Sequence, residues 1–224
     1  MYADPESYFP RDYRQARRAF IEAAQTRGID VISRVHPAAR GPDDKPLFLD
    51  TAALGPRNAA RALLLLSGTD GLQGCFGSGV QTGLLREGLA PPEGVRIVLV
   101  HAFDPYGFAW GRAPEIGDFA GSRLGWSLAM LDAILTEDLR EVRKLVAIDL
   151  RTGSSESREE MFAVSAALER MFASRESYRV VTSTVLKTAT LPALGSGFSP
   201  DNPAWRRRAY GLSRDAVLAG LATL

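Results

Sequence analysis

The sequence predicts an α/β domain, a mixed and mainly parallel sheet flanked by helices. Three observations carry this. Apolar runs within Ala59–Ser67, Val95–His101 and Leu145–Leu150 have the length and continuous hydrophobicity of strands buried on both faces. Segments of helical periodicity alternate with them, the pattern of a parallel sheet with crossover helices. A hairpin-like pair of segments near the front makes the sheet mixed. The chain has 224 residues, which fits a single domain over 1–224. A composition of 46% hydrophobic and 24% charged residues is ordinary for a globular core.

Tyr8–Arg27 reads as the first helix. Phe9, Tyr13, Ala16, Phe20, Ala23 and Ala24 recur at helical spacing, and Gly28 is a natural stop. Ile29–Val35 alternates like a strand. Pro37 and the cluster Arg40-Gly41-Pro42-Asp43-Asp44 then predict a turn, and Leu47–Leu49 the return strand. Ala59–Ser67 is the first buried strand. The stretch 68–79 is rich in glycine, and Val80–Glu87 begins or continues a helix that ends near Gly88. After the strand Val95–His101 comes a long helix over Ser122–Val142, with Leu124, Leu128, Leu131, Leu135 and Leu139 on one stripe. Leu145–Leu150 is the third buried strand, Glu156–Phe172 a helix and Tyr178–Leu186 a fourth strand. Pro203–Leu224 closes the chain as a helix, with Asp201 or Asn202 as cap and Pro203 at its first position.

A net charge of +1 gives no whole-molecule field that selects nucleic acid or an anionic membrane. The clusters Arg11, Arg14, Arg17, Arg18 and Arg206, Arg207, Arg208 read as solvated helix faces, with an anion site as the sharper alternative. The longest apolar run, Ala62–Leu66, is too short to span a bilayer, and the polar Met1–Arg14 lacks the apolar core of a signal peptide. One cysteine, Cys75, allows no intrachain disulfide and no cysteine-based metal cluster. A cytoplasmic, reduced setting is the expectation.

In an open α/β sheet, ligands bind at the carboxyl ends of the strands. Four segments fall there. They are Gly68-Thr69-Asp70-Gly71-Leu72-Gln73-Gly74 with Gly77-Ser78-Gly79 after it, His101-Ala102-Phe103-Asp104-Pro105-Tyr106-Gly107-Phe108-Ala109-Trp110, Asp149-Leu150-Arg151-Thr152-Gly153, and Leu186-Lys187-Thr188-Ala189-Thr190-Leu191-Pro192. In this order they resemble a bacterial branch of the zinc metallocarboxypeptidase superfamily, a domain of unknown function. The resemblance runs from about Tyr8 to the end and takes in Phe198–Trp205. That branch reads Gly-Thr-His-Gly-x-Glu-Gly in the first segment, His-Ala-x-Asn-Pro-Tyr-Gly-Phe-Ala-Trp in the second, Asp-Leu-His-Thr-Gly in the third and a Glu-bearing Leu-Glu-Phe-Gly-Thr-x-Pro in the fourth. The resemblance implies a trimmed metallocarboxypeptidase-like fold and a zinc-dependent hydrolase ancestry.

The departures fall on the chemistry. Asp70 stands where the first zinc-ligand His would be, Gln73 where the Glu would be, and Arg151 where the second His would be. Lys187 stands at the general-base position, and Asp104 replaces the Asn of the second segment. The substrate-binding Asn-Arg stretch expected after Trp110 is not recognisable. Zinc needs lone pairs from imidazole, thiolate or carboxylate. Arg and protonated Lys offer none, and Gln only a weak amide oxygen. No zinc or other cofactor is expected. Arg151 brings a fixed positive charge to the place of the lost cation, so an Asp70–Arg151 ion pair is expected to replace the metal structurally.

The remaining candidates have bland readings beside sharp ones. Asp149 reads as a structural hydrogen-bond acceptor, and His101 and His36 as structural histidines. Ser78 with His101 and Asp104 is conceivable as a nucleophile set, yet its surroundings are no Gly-x-Ser-x-Gly elbow. Cys75 reads as a small buried hydrophobe, or as a reactive thiol if Arg151 lies near it. Gly68, Gly71 and Gly74 match no phosphate-binding fingerprint, and Tyr106, Phe108 and Trp110 read as aromatic loop packing.

Two functions follow. The first is a pseudoenzyme, a binding or scaffold protein for a small polar ligand or a protein partner. The second is a residual hydrolase of peptide or N-acyl amide bonds with an atypical site. Self-association would cover apolar surface exposed by the missing segments.

Overall fold

A computed structural model describes residues 4–69, 71, 74–111, 123–150, 179–183 and 202–224. Six strands form one sheet in the order β1-β2-β4-β3-β5-β6. They are β1 (Val31–Arg40), β2 (Pro46–Leu54), β3 (Arg61–Ser67), β4 (Val95–His101), β5 (Lys144–Leu150) and β6 (Arg179–Ser183). β1/β2 and β2/β4 pair antiparallel, while β3/β4, β3/β5 and β5/β6 pair parallel. The sheet is therefore mixed and mainly parallel, as its buried apolar runs require.

Five described helices accompany it: α1 (Tyr13–Thr26), α2 (Gly74–Arg86), α3 (Pro105–Trp110), α4 (Arg123–Glu137) and α5 (Pro203–Ala222). Strand alternation sends side chains to two cores. Leu63, Leu65, Ile97, Leu99, Val146 and Ile148 pack with Phe20 of α1, Phe76 and Val80 of α2, and Trp205 and Val217 of α5. Leu64, Leu66, Val98, Val100 and Leu145 pack with Leu131, Ile134 and Leu135 of α4. Helices thus cover both faces.

Several boundaries differ from the sequence expectation. The first helix starts at Tyr13, not Tyr8. Asp12 caps it by accepting from the Gln15 amide at 2.8 Å, while Pro5–Tyr8 form a separate 3-10 turn. β1 continues through Pro37 to Arg40, with an irregular register between Val35 and Arg40, and β2 runs on to Leu54. α2 begins at Gly74, inside the glycine-rich stretch, because its glycines lie against other backbone and rings. A Cβ on Gly77 would sit 2.5 Å from the Leu150 carbonyl oxygen. The aromatic run 105–110 is a short helix rather than loop, capped by Asp104 and ended by Gly111 at φ 59°. α4 ends at Glu137, short of Val142. For α5 the cap is Asn202, which accepts from the Trp205 amide at 3.0 Å. The helix expected over Glu156–Phe172 lies outside the described residues.

Candidate functional site

β4 lies on one side of β3 and β5 on the other, so the chain leaves β3 in one direction and returns past it in the other. The carboxyl end of β3 is the switch point of the sheet, where such folds open a crevice. The loops there are tied together. The Phe103 amide donates to the Ser67 carbonyl and the Asp104 amide to the Gly68 carbonyl, each at 2.8 Å. Gly68 lies at φ 70°, and a Cβ there would come within 3.0 Å of the Ala102 Cα, so both the turn and the close approach suit glycine. Ala102 itself is left-handed at φ 55°, a strained turn for a residue with a side chain. It reverses the chain so that Asp104 can accept from the Gly107 amide at 3.0 Å. Across the switch point the buried Thr69 hydroxyl donates to Asp149 Oδ1 at 2.7 Å. Asp149 is thus a hydrogen-bond acceptor, as its place in the sequence suggests.

Beside this edge, under α1 and α2, a polar row crosses the sheet. Ser33 pairs in register with Asp50, and Asp50 with His101. The Ser33 hydroxyl donates to Asp50 Oδ1 at 2.5 Å, and Arg17 of α1 grips both carboxylate oxygens at 2.8 and 3.1 Å. His101 is fully buried, stacked on Phe20 with ring centroids 4.5 Å apart. Its Nε2 lies 2.9 Å from Ser78 Oγ on α2, and its Nδ1 lies 4.0 Å from Asp50 Oδ2. A proton on Nδ1 facing the carboxylate, with Nε2 accepting from Ser78, suits both neighbours. Burial pushes the imidazole down to about 4 against the pull of Asp50, so it is neutral at physiological pH.

This row corrects the conceivable nucleophile set. Ser78 and His101 do meet, but the facing carboxylate is Asp50, and Asp104 is spent on capping α3. Ser78, His101 and Asp50 are each 0% exposed, so no substrate reaches the serine in this conformation. Sequence reasoning missed Asp50. Its only signal was a carboxylate directly following the apolar return strand Leu47–Leu49.

The other candidates are placed as follows. His36 Nδ1 accepts from the Ala38 and Ala39 amides at 3.2 and 2.8 Å, and its ring packs on Trp126. Burial pushes the Cys75 thiol up to about 12, opposite to a reactive cysteine. Arg14 pairs with Asp43 at 2.7 Å and Arg207 with Asp4 and Glu6 on solvated helix faces, whereas Arg17 of the first cluster turns inward to the buried Asp50. Asp70, Gln73, Arg151 and Lys187, and with them the expected Asp70–Arg151 ion pair, lie outside the described residues. Among the described residues no three of His, Cys, Asp and Glu gather as metal ligands would, and no helix is long and apolar enough to cross a membrane.

Residues 9–116 match the model of a family described as a protein of unknown function, DUF2817. No curated protein matches the chain in sequence. Among solved structures, the chain is similar to a candidate metallopeptidase from Shewanella denitrificans OS217, at 15% identity over 95% of this chain and 92% of that one, with a TM-score of 0.52. It is similar to a candidate carboxypeptidase from Burkholderia mallei ATCC 23344, at 13% identity over 97% and 70%, with a TM-score of 0.52. A glutaminyl cyclase from Macrostomum lignano aligns at 12% identity over 96% and 82%, with a TM-score of 0.48. The first two likenesses show the fold, a mixed sheet between helices of the metallopeptidase type.

Proposed function

We propose that this chain is a zinc-free binding protein on a metallopeptidase-type frame, holding a small polar ligand at the carboxyl edge of β3 and β5. The observation that carries this reading is the disposition of the chain's soft donors. It has two histidines and one cysteine. His101 is sealed beneath α1 between Ser78 and Asp50, and His36 turns its Nδ1 to the amides of its own strand. The Cys75 thiol is held protonated by burial. The loop positions matching the family's ligands carry Asp70, Gln73 and Arg151. A donor set of one carboxylate and one amide oxygen, with a guanidinium at the third position, does not fit zinc, which takes three protein ligands even in an open catalytic site. The single thiol is consistent with a reduced, cytoplasmic setting.

The test is metal analysis of the purified protein and zinc titration by calorimetry. The expected result is substoichiometric metal and no heat of binding at micromolar zinc. Stoichiometric, tightly held zinc would overturn the reading and direct work to hydrolysis of peptides and N-acyl amino acids.

A further inference from the structure

Among the described residues β1 forms an open edge of the sheet. Ile32 and Val35 are 49% and 52% exposed, two of the four exposed large apolar side chains among the described residues, and both lie on this one strand. The outward main-chain groups of 31–35 face no partner strand among the described residues. Natural edges are usually blunted by a projecting charge or a proline. Here Pro37 comes only after the exposed segment. The one charge in it, Arg34, is folded back, donating to Thr51 Oγ1 at 2.9 Å and lying 3.5 Å from Glu137. Among the described residues the edge from Val31 to Val35 is therefore apolar and unguarded.

Its pattern is also self-complementary. Val31, Ser33 and Val35 share the α1 face of the strand, and valine-serine-valine reads the same in both directions. An antiparallel two-fold through Ser33 sets each Val31 opposite Val35 of the second copy, a β-branched pair of the kind that stabilises sheets. On the other face it sets Ile32 opposite Arg34 of the second copy, whose guanidinium is turned back to Thr51 and Glu137. α1 flanks this edge, and its outer stripe lines a groove of about 510 Å³ bounded by Arg14, Arg17, Arg18, Ile21, Glu22 and Gln25. Arg14 and Arg17 are neutralised by Asp43 and Asp50. Arg18 and Glu22, one turn apart, have no ion-pair partner among the described residues, and a two-fold lets such a pair complement itself.

From this geometry we propose that a second copy of this chain docks on β1, antiparallel about Ser33, joining two six-stranded sheets into one. The test is sedimentation velocity of the full chain from about 1 to about 100 µM, the range in which a modest interface separates from incidental contact. A reversible dimer is expected. Val35→Lys is expected to weaken it by about tenfold or more, since the lysine would face apolar surface on the second copy. Leu218→Lys, at an exposed apolar site on α5, is expected to leave it unchanged. Ser33→Cys, on the axis, is expected to give a covalent dimer on mild oxidation, because facing Cβ atoms of paired strands approach to about 4.5 Å, the upper end of disulfide reach. A monomer throughout the range overturns the proposal. So does a dimer that survives Val35→Lys or that Leu218→Lys dissolves. A monomer that gains stability only on adding an extended peptide would assign the edge to another chain and equally overturn self-pairing.

Discussion

His101 sets the acid behaviour of the molecule at the scale of one residue. Its imidazole is sealed between Phe20, Ser78 and Asp50, and burial holds it near 4 when folded against 6.5 when free. The unfolded chain therefore takes up a proton at a higher pH than the folded one. The stability contribution is complete above pH 6.5 and is lost as the pH falls from 6.5 towards 4, by on the order of 3 kcal/mol. Urea unfolding at pH 7, 6, 5 and 4 is expected to show this decline. His101→Gln is expected to be less stable at pH 7 but to have a shallower slope over that interval, and an unchanged slope would remove His101 as the cause. The sequence exposed half of this arrangement. Ser78 and His101 could be matched by type, but Asp50 reaches His101 only through the β2–β4 register, a long-range pairing that no local spacing encodes.

The lesson at the scale of elements comes from α2. Glycine weakens a helix, so the sequence leaves open whether the helix begins at Val80 or continues from the glycine-rich stretch before it. In the folded molecule the helix starts at Gly74, because tight packing offsets propensity. A Cβ on Gly77 would lie 2.5 Å from the Leu150 carbonyl and 2.8 Å from the Ser67 Cβ, forcing α2 off the sheet. Gly77→Ala is therefore expected to destabilise by about 1–3 kcal/mol despite better helix propensity. Gly211 in α5 is the control, since a Cβ there meets nothing within 4 Å. Gly211→Ala is expected to stabilise by up to about 1 kcal/mol. Both are read by chemical denaturation, and equal signs for the two would refute the packing account. Strands were more legible than helices. Val95–His101 matches β4 to the residue because continuous burial writes itself as continuous hydrophobicity. β1 and β2 were underestimated because their outer halves mix polar and small residues whose partners are tertiary.

At the scale of the whole molecule, the doubly covered sheet and the placing of the glycine loops at the carboxyl ends of its strands were legible, because the binary pattern follows from burial, whereas the strand order that makes one of those ends a switch point was not. The content of the crevice was legible only as residue types. That content decides how the fold responds to metal. A ligand that binds only the native state stabilises it in proportion to the logarithm of its concentration over Kd, about 2.7 kcal/mol at a hundredfold excess. For a chain of this length that would raise Tm by about 5–10 °C. A frame whose loops carried zinc ligands at the positions the sequence resemblance marks would show such a rise with zinc and an equal fall with a chelator. Here the corresponding positions hold Asp70, Gln73 and Arg151, and the chain's two imidazoles are committed to Ser78 and to the β1 amides. The expected outcome by scanning calorimetry is the same Tm in excess zinc, in buffer alone and in chelator. A fall of several degrees in chelator, restored by zinc, would mean that this fold recruits a metal through ligands other than the expected ones, and the binding-protein reading would give way to a metal-dependent one.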